Sequence, residues 1–222
     1  MNEHTHTGRH TTSPWSYDWF PRVPVTQSNQ FPIFEPVHLP IEPRYATSFV
    51  RSDDCPSHRT SLIHGFVDDT RLKRLLSNPG RHVSRFADHL GVITPDFSIM
   101  LGMPIYDRMR SVHLSRYVGA YWQLHGLRVI PNVRWADPND LEFALDGLPH
   151  ESTIALSTQS LHSDWLLHKN FEEGLFELLE TICPLHIILY GKPTKNFYSI
   201  IGLHRVSVLP TDKCRVHMAG DF

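Results

Sequence analysis

The chain has 222 residues, 41% of them hydrophobic and 20% charged, with 21 Lys and Arg against 23 Asp and Glu for a formal charge of −2. That is enough chain for one hydrophobic core, and the near-neutral balance excludes a global electrostatic draw toward nucleic acid or an anionic membrane while leaving room for a local basic strip. No apolar run reaches the ~18 residues that span a bilayer, residues 1–9 precede no signal-peptide core, and Cys55, Cys183 and Cys214 are too few and too scattered for a disulfide framework or zinc ribbon; the expectation is a cytoplasmic protein with free thiols.

Residues 1–30 are rich in His, Thr, Ser, Pro and Asn without any period, which predicts a flexible tail ahead of one domain over 31–222. Trp15, Tyr17, Trp19 and Phe20 interrupt the tail. Such large apolar side chains are expected to dock, either on the chain's own domain or on a partner. His4, His6 and His10 lack the fixed geometry of a metal site and read as polar tail. Six prolines between positions 21 and 43 favour an extended segment that wraps a sheet.

From there strands and helices alternate. SLIHGF (61–66) reads as a strand, and Asp68-Asp69-Thr70 opens a helix with Leu72, Leu75 and Leu76 at helical spacing, stopped by Asn78-Pro79-Gly80. A second helix (83–90) leads into the strand GVIT. The longest helix is predicted over 105–125, followed by a strand (128–131), a short helix (138–145), a strand (152–156), an amphipathic helix (165–183) and a strand (186–190). Residues 198–208 add one further strand or a covering turn. This succession predicts an α/β fold, a three-layer domain with a mainly parallel sheet. An open sheet fits the length more easily than a closed eight-stranded barrel of ~250 residues, and a barrel-like incomplete form stays open.

Four apolar runs end abruptly in polar clusters, at Pro95-Asp96, Asn132-Val133-Arg134-Trp135, Ser157-Thr158 and Gly191-Lys192. Parallel α/β sheets bind ligands at the carboxyl ends of their strands, so these clusters mark a candidate crevice for an anion, nucleotide or other phosphorylated small molecule. Asp96 is the candidate catalytic carboxylate, as base or hydroxyl acceptor; the alternative is a turn cap on Phe97 or Ser98. Arg134 offers a fork for phosphate or carboxylate and Trp135 a stacking face; the alternative makes Trp135 a core plug and pairs Arg134 with Asp137 or Asp96. Asn132, Ser157 and Lys192 complete the edge. Arg116, in the long helix with Gly119, Ala120 and Gln123 on one face, is either an anion ligand or a structural ion pair. Asp137 before Pro138 reads as a helix cap.

The aromatic and basic 105–125 helix is the alternative footing, for a noncatalytic protein that binds a nucleic acid or a protein through that helix or through the aromatic arm. No phosphate loop, zinc signature or nucleophile elbow is present, so no metal or cofactor is implied, and of the sixteen histidines only His162 follows a strand-end loop.

GVITPDFS (91–98), RYVGAYWQ (116–123), VIPNVRWAD (129–137), FALDGLP (143–149) and Tyr190-Gly191 together resemble the family known as domain of unknown function 4417, found in bacteria, plasmids and phages. The resemblance spans the α/β core over 64–191. It implies Asp96, Arg116, Trp122, Asn132, Arg134 and Trp135 as signature positions, and a role on a mobile element, without specifying a reaction. Residues 157–159 stand where similar proteins tend to carry a glycine-containing turn.

Overall fold

The computed structural model describes residues 20–55, 57–159, 161 and 164–211. His4, His6, His10, Trp15, Tyr17, Trp19, His162 and Cys214 lie outside them. The strands are β1 (Tyr45–Ser48), β2 (Ser61–His64), β3 (Gly91–Ile93), β4 (Val129–Ile130), β5 (Thr153–Ser157), β6 (His186–Tyr190) and β7 (Arg205–Leu209); the helices are α1 (Asp69–Ser77), α2 (Val83–Ala87), α3 (Ile105–Leu124), α4 (Leu141–Ala144), α5 (Trp165–Ile182) and α6 (Phe197–Ile201). The fold is α/β with parallel strands, as its alternating periods lead one to expect.

The strands run in chain order. β1 to β4 form one ladder and β5 to β7 another, every pair parallel, and a parallel bridge between Asn132 and Ala155 joins the two. That order leaves the open and barrel-like forms distinguishable by one contact. The rings of Phe66, just past β2, and Tyr190, at the end of β6, stack at 4.6 Å and 14°. In a flat sheet these strands, four steps apart, stand about 19 Å from each other at the usual ~4.8 Å strand spacing. The sheet therefore curls on itself, and the barrel-like form is the one adopted.

Side-chain alternation along the strands divides their residues between the inside and the outside of the curl. Ala46, Leu62, Ile93, Ile130, Ala155 and Ile188 face an inner core that contains no helix residue. The alternate positions face outward, where Ile63, Val92 and Val129 pack with α1 and α3, and Ile154, Leu156, Ile187 and Leu189 pack with α4 and α5. Val37 and Leu39 of the proline-rich segment plug the inner core from the end where β5 begins, with Thr153 N–H donating to the Val37 carbonyl at 2.9 Å.

Among the described residues no ladder joins β1 to β7; a side-chain clasp does. Glu42, just ahead of β1, accepts hydrogen bonds from Arg205 and Ser207 of β7, and its carboxylate lies 3.5 Å from Nε2 of His186. Burial, joined by the neighbouring Arg205, holds His186 below the ordinary histidine value despite the opposing Glu42. His82, His89 and His113 are lowered too, chiefly by burial. Each has an ordinary value of 6.5, so as pH falls through it the unfolded chain takes up protons before the folded one, and stability present above it is lost. The expected outcome is a melting temperature that falls between about pH 7.5 and pH 5; an unchanged one contradicts the burial of these rings.

The N-terminal segment is tied to the domain from Phe20 onward. Phe20 stacks on Tyr117 of α3 at 4.3 Å, and Thr26, Ser28 and Asn29 all donate to the Asp146 carboxylate. Among the described residues no helix is long and apolar enough to cross a membrane. Cys55 and Cys183 are free thiols.

Candidate functional site

The strand carboxyl ends converge at one mouth, and three of the anticipated residues touch there. Asp96, three residues past β3, accepts from Asn132 Nδ2 at 2.7 Å and from Arg134 Nη1 at 2.5 Å, both just past β4. The Asp96 side chain is 9% exposed and that of Arg134 27%. Asp96 is thus an ion-pair partner and not a turn cap; Ser98 N–H bonds instead to Asp69 of α1 at 3.2 Å. The backbone beneath is fixed by Thr94, whose Oγ1 accepts from Asn132 N–H at 2.9 Å.

Arg116 reaches the same network from α3. Gly119, one turn on, lets α3 approach closely, since a Cβ there would stand 2.6 Å from both Phe34 and Thr94. The guanidinium is buried, with 2% of the residue exposed. It donates through Nη2 to the Ala144 carbonyl and lies 5.5 Å from the Phe34 ring centre. Burial pulls its pKa down to about 9, only partly offset by the negative charge of Asp146. Its Nη1 has no hydrogen-bond partner, and neither has the buried Oδ1 of Asn132.

Two small spaces flank the network. One, of about 10 Å³, is lined by Asp96, Ser115, Arg116, Asn132 and Arg134. The other, of about 30 Å³, adds Trp135 and Ser157 to Asp96, Asn132 and Arg134. A space of ~10–15 Å³ is about what one water needs, so neither space as it stands encloses a whole nucleotide.

The three other anticipated ligand groups differ in their places. Trp135 is a core residue: its ring stacks on Phe171 at 5.2 Å and 1°, and Nε1 donates to the Asn170 carbonyl at 2.9 Å. No face is left for a base. Lys192 is exposed and lines neither space; its carbonyl accepts from Thr158 Oγ1 at 2.7 Å. Ser157 lines the larger space, with Oγ accepting from Gln159 N–H at 3.3 Å.

The basic helix also loses its surface. Within α3, Arg108 is paired with the buried Asp140 and Arg116 is turned into the domain, so residues 105–125 present no continuous cationic face. Asp137 caps the following turn as expected, in a reciprocal arrangement with Asp140. Asp164 caps α5 through Leu166 and Leu167 N–H. Among the described residues no group of three or more His, Cys, Asp and Glu can hold a metal ion.

A second cluster was not anticipated. Arg71, Arg74, Arg81 and Arg85 line a groove of about 950 Å³ with His82, between α1 and the 3-10 segment after β1. Residues 70–87 hold five Lys or Arg and no Asp or Glu, a signal legible in the sequence.

The family model described as "Domain of unknown function (DUF4417)" matches residues 28–202. The chain is similar to the "Gene 1 protein" of Mycobacterium phage L5, 33% identical over 154 residues that cover 67% of each chain. It is similar to the "Gene 1 protein" of Mycobacterium phage D29, 33% identical over 173 residues, 75% of this chain and 63% of that one. The chain thus spans about two thirds of the length of these relatives. No solved structure is significantly similar to it.

Proposed function

We propose that this chain, which belongs to the DUF4417 family, is a cytoplasmic protein of a phage or related mobile element whose barrel mouth binds a small anionic molecule. Arg116 carries the reading. A buried guanidinium ordinarily has a carboxylate partner, because an unpaired buried charge is costly. Arg116 has a carbonyl, an aromatic face and one unbonded nitrogen on the wall of the mouth space. An anionic group entering beside it relieves that deficit.

Asn132 Oδ1, the unbonded acceptor on the same wall, sets the other half of the recognition: the entering group carries a donor as well as an acceptor, as a hydroxy acid or a phosphate monoester does. Entry of the charged end requires the space beside Arg116, about 10 Å³ as it stands, to widen. The remainder lies outward over the partly exposed Arg134 and Ser157. In this reading Asp96, oriented by Asn132 and Arg134, is the acceptor for a ligand hydroxyl.

The test is thermal denaturation against inorganic phosphate, sulfate, short hydroxy acids and sugar phosphates. A ligand at about 100 times its Kd adds ~2.7 kcal/mol. An upward shift for at least one of these anions is expected, and no shift for any of them overturns the reading.

A further inference from the structure

The arginine groove is independent of the mouth. One wall is α1, an amphipathic helix that buries Leu72, Leu75 and Leu76 and leaves Arg71 and Arg74, three residues apart, on its exposed side. The opposite wall is Phe49 and Val50, and the turn into α2 brings Arg81, His82 and Arg85. No carboxylate is among the described lining residues.

The floor of the groove is rigid. Arg85 donates through Nη2 to the Phe49 carbonyl at 3.0 Å and to Nδ1 of His82 at 2.8 Å. The accepting Nδ1 leaves the His82 proton on Nε2, a further donor. Phe86 stacks under that ring at 5.4 Å. Only Arg85 has an ion-pair partner, the exposed Asp53 at 3.5 Å; among the described residues Arg71, Arg74 and Arg81 have none. Four guanidinium groups gathered in a chain of formal charge −2 repel one another unless a polyanion meets them.

We propose that this groove binds the phosphodiester backbone of a nucleic acid without reading its sequence. Arginine forks match phosphate oxygens. The Thr70 hydroxyl supplies a neutral donor of the kind that positions a backbone, while Ser77 donates to the Arg74 carbonyl. The lining offers no exposed aromatic platform, since Phe49 is buried and His82 is covered by Phe86, so base stacking plays no part.

The experiment is fluorescence anisotropy of the full chain with labelled 20-base-pair duplex DNA and a 20-nucleotide single strand, across a salt series. Binding to either form is expected, with log K falling against log salt at a slope of roughly −3 to −4 for duplex, near −0.9 per neutralised phosphate. Arg71→Glu/Arg74→Glu should weaken it at least tenfold and flatten the slope by about 2. Its fold is checked by melting, because the change at Arg71 suits the dipole near the start of α1 whereas the change at Arg74, in the last turn, opposes it. Arg128→Glu/Lys195→Glu, the same charge change at exposed positions outside the groove, should change affinity less than about threefold, as general screening alone dictates. Equal losses in the two variants, no binding of either strand form by the wild type at ~50 mM salt, or binding indifferent to salt would overturn the proposal.

Discussion

Trp135→Ala should cost about 4 kcal/mol of folding stability. The ring is 8% exposed, lies flat on Phe171, and bonds to the Asn170 carbonyl. It also occupies the place where α5 has no side chain: a Cβ on Gly174 would stand 2.4 Å from the indole nitrogen. Removing the ring opens a cavity between β4 and α5 and takes away the second hydrogen bond to that helix carbonyl. In a domain of this size the loss corresponds to a melting temperature lower by about 8–16 °C. Gly174→Ala should be destabilising as well, although Ala favours a helix more than Gly does, because the indole has to move. A Trp135→Ala protein within about 1 kcal/mol of wild type would mean that the ring is not part of the core and is free to stack on a ligand after all.

Arg134→Ala should cost about 2–3 kcal/mol, less than a fully buried pair because the Arg134 side chain is 27% exposed and water can reach the gap. Its effect falls on Asp96, 9% exposed, which keeps only the Asn132 amide. Asp96→Asn should be milder, since the freed guanidinium can swing toward solvent whereas the freed carboxylate cannot. The double variant tests the contact directly. Urea unfolding should give a coupling of at least ~1 kcal/mol between the two positions, as expected for residues in one hydrogen-bonded network, and additive effects would contradict the pairing.

The elements that the sequence reveals best are those with a complete period or clear bounds. α1 and α5 repeat apolar residues at helical spacing, α3 is a long stretch without proline between Pro104 and Gly126, and β3, β5 and β6 are apolar runs bounded by breakers. β1 escapes because Tyr45-Ala46-Thr47-Ser48 is short and mixed and follows directly on the proline-rich segment. α6 and β7 merge into one undivided stretch because a five-residue helix holds barely more than one turn. Curl is invisible locally: an open sheet and a barrel share the same alternation, and the difference lies in contacts such as Phe66 on Tyr190, brought together from opposite ends of the domain.

The mouth divides in the same way. Asp96, Asn132 and Arg134 are legible because strand ends of a parallel sheet face one edge, so their identity and direction follow from position. Whether a side chain is spent internally depends on partners far along the chain. Trp135 is covered by Phe171 and Gly174, and Arg108 is taken by Asp140. The arginines of 71–85 keep their charge outward for the converse reason: their own helix face is exposed and no acidic residue interrupts the stretch.

The buried cation at the mouth is best tested by melting wild type and Arg116→Met side by side, with and without inorganic phosphate. A structural arginine and a ligand-binding one behave oppositely here. An apolar side chain of similar length removes an unpaired buried charge and loses one bond to the Ala144 carbonyl, so the variant without phosphate should lie within about 1 kcal/mol of wild type or above it. With the arginine groove silenced by Arg71→Glu/Arg74→Glu in both proteins, phosphate should stabilise the one that keeps Arg116 and leave the Arg116→Met one unmoved. A Met variant several kcal/mol less stable than wild type, or one that keeps the phosphate shift, would contradict an anion site at Arg116.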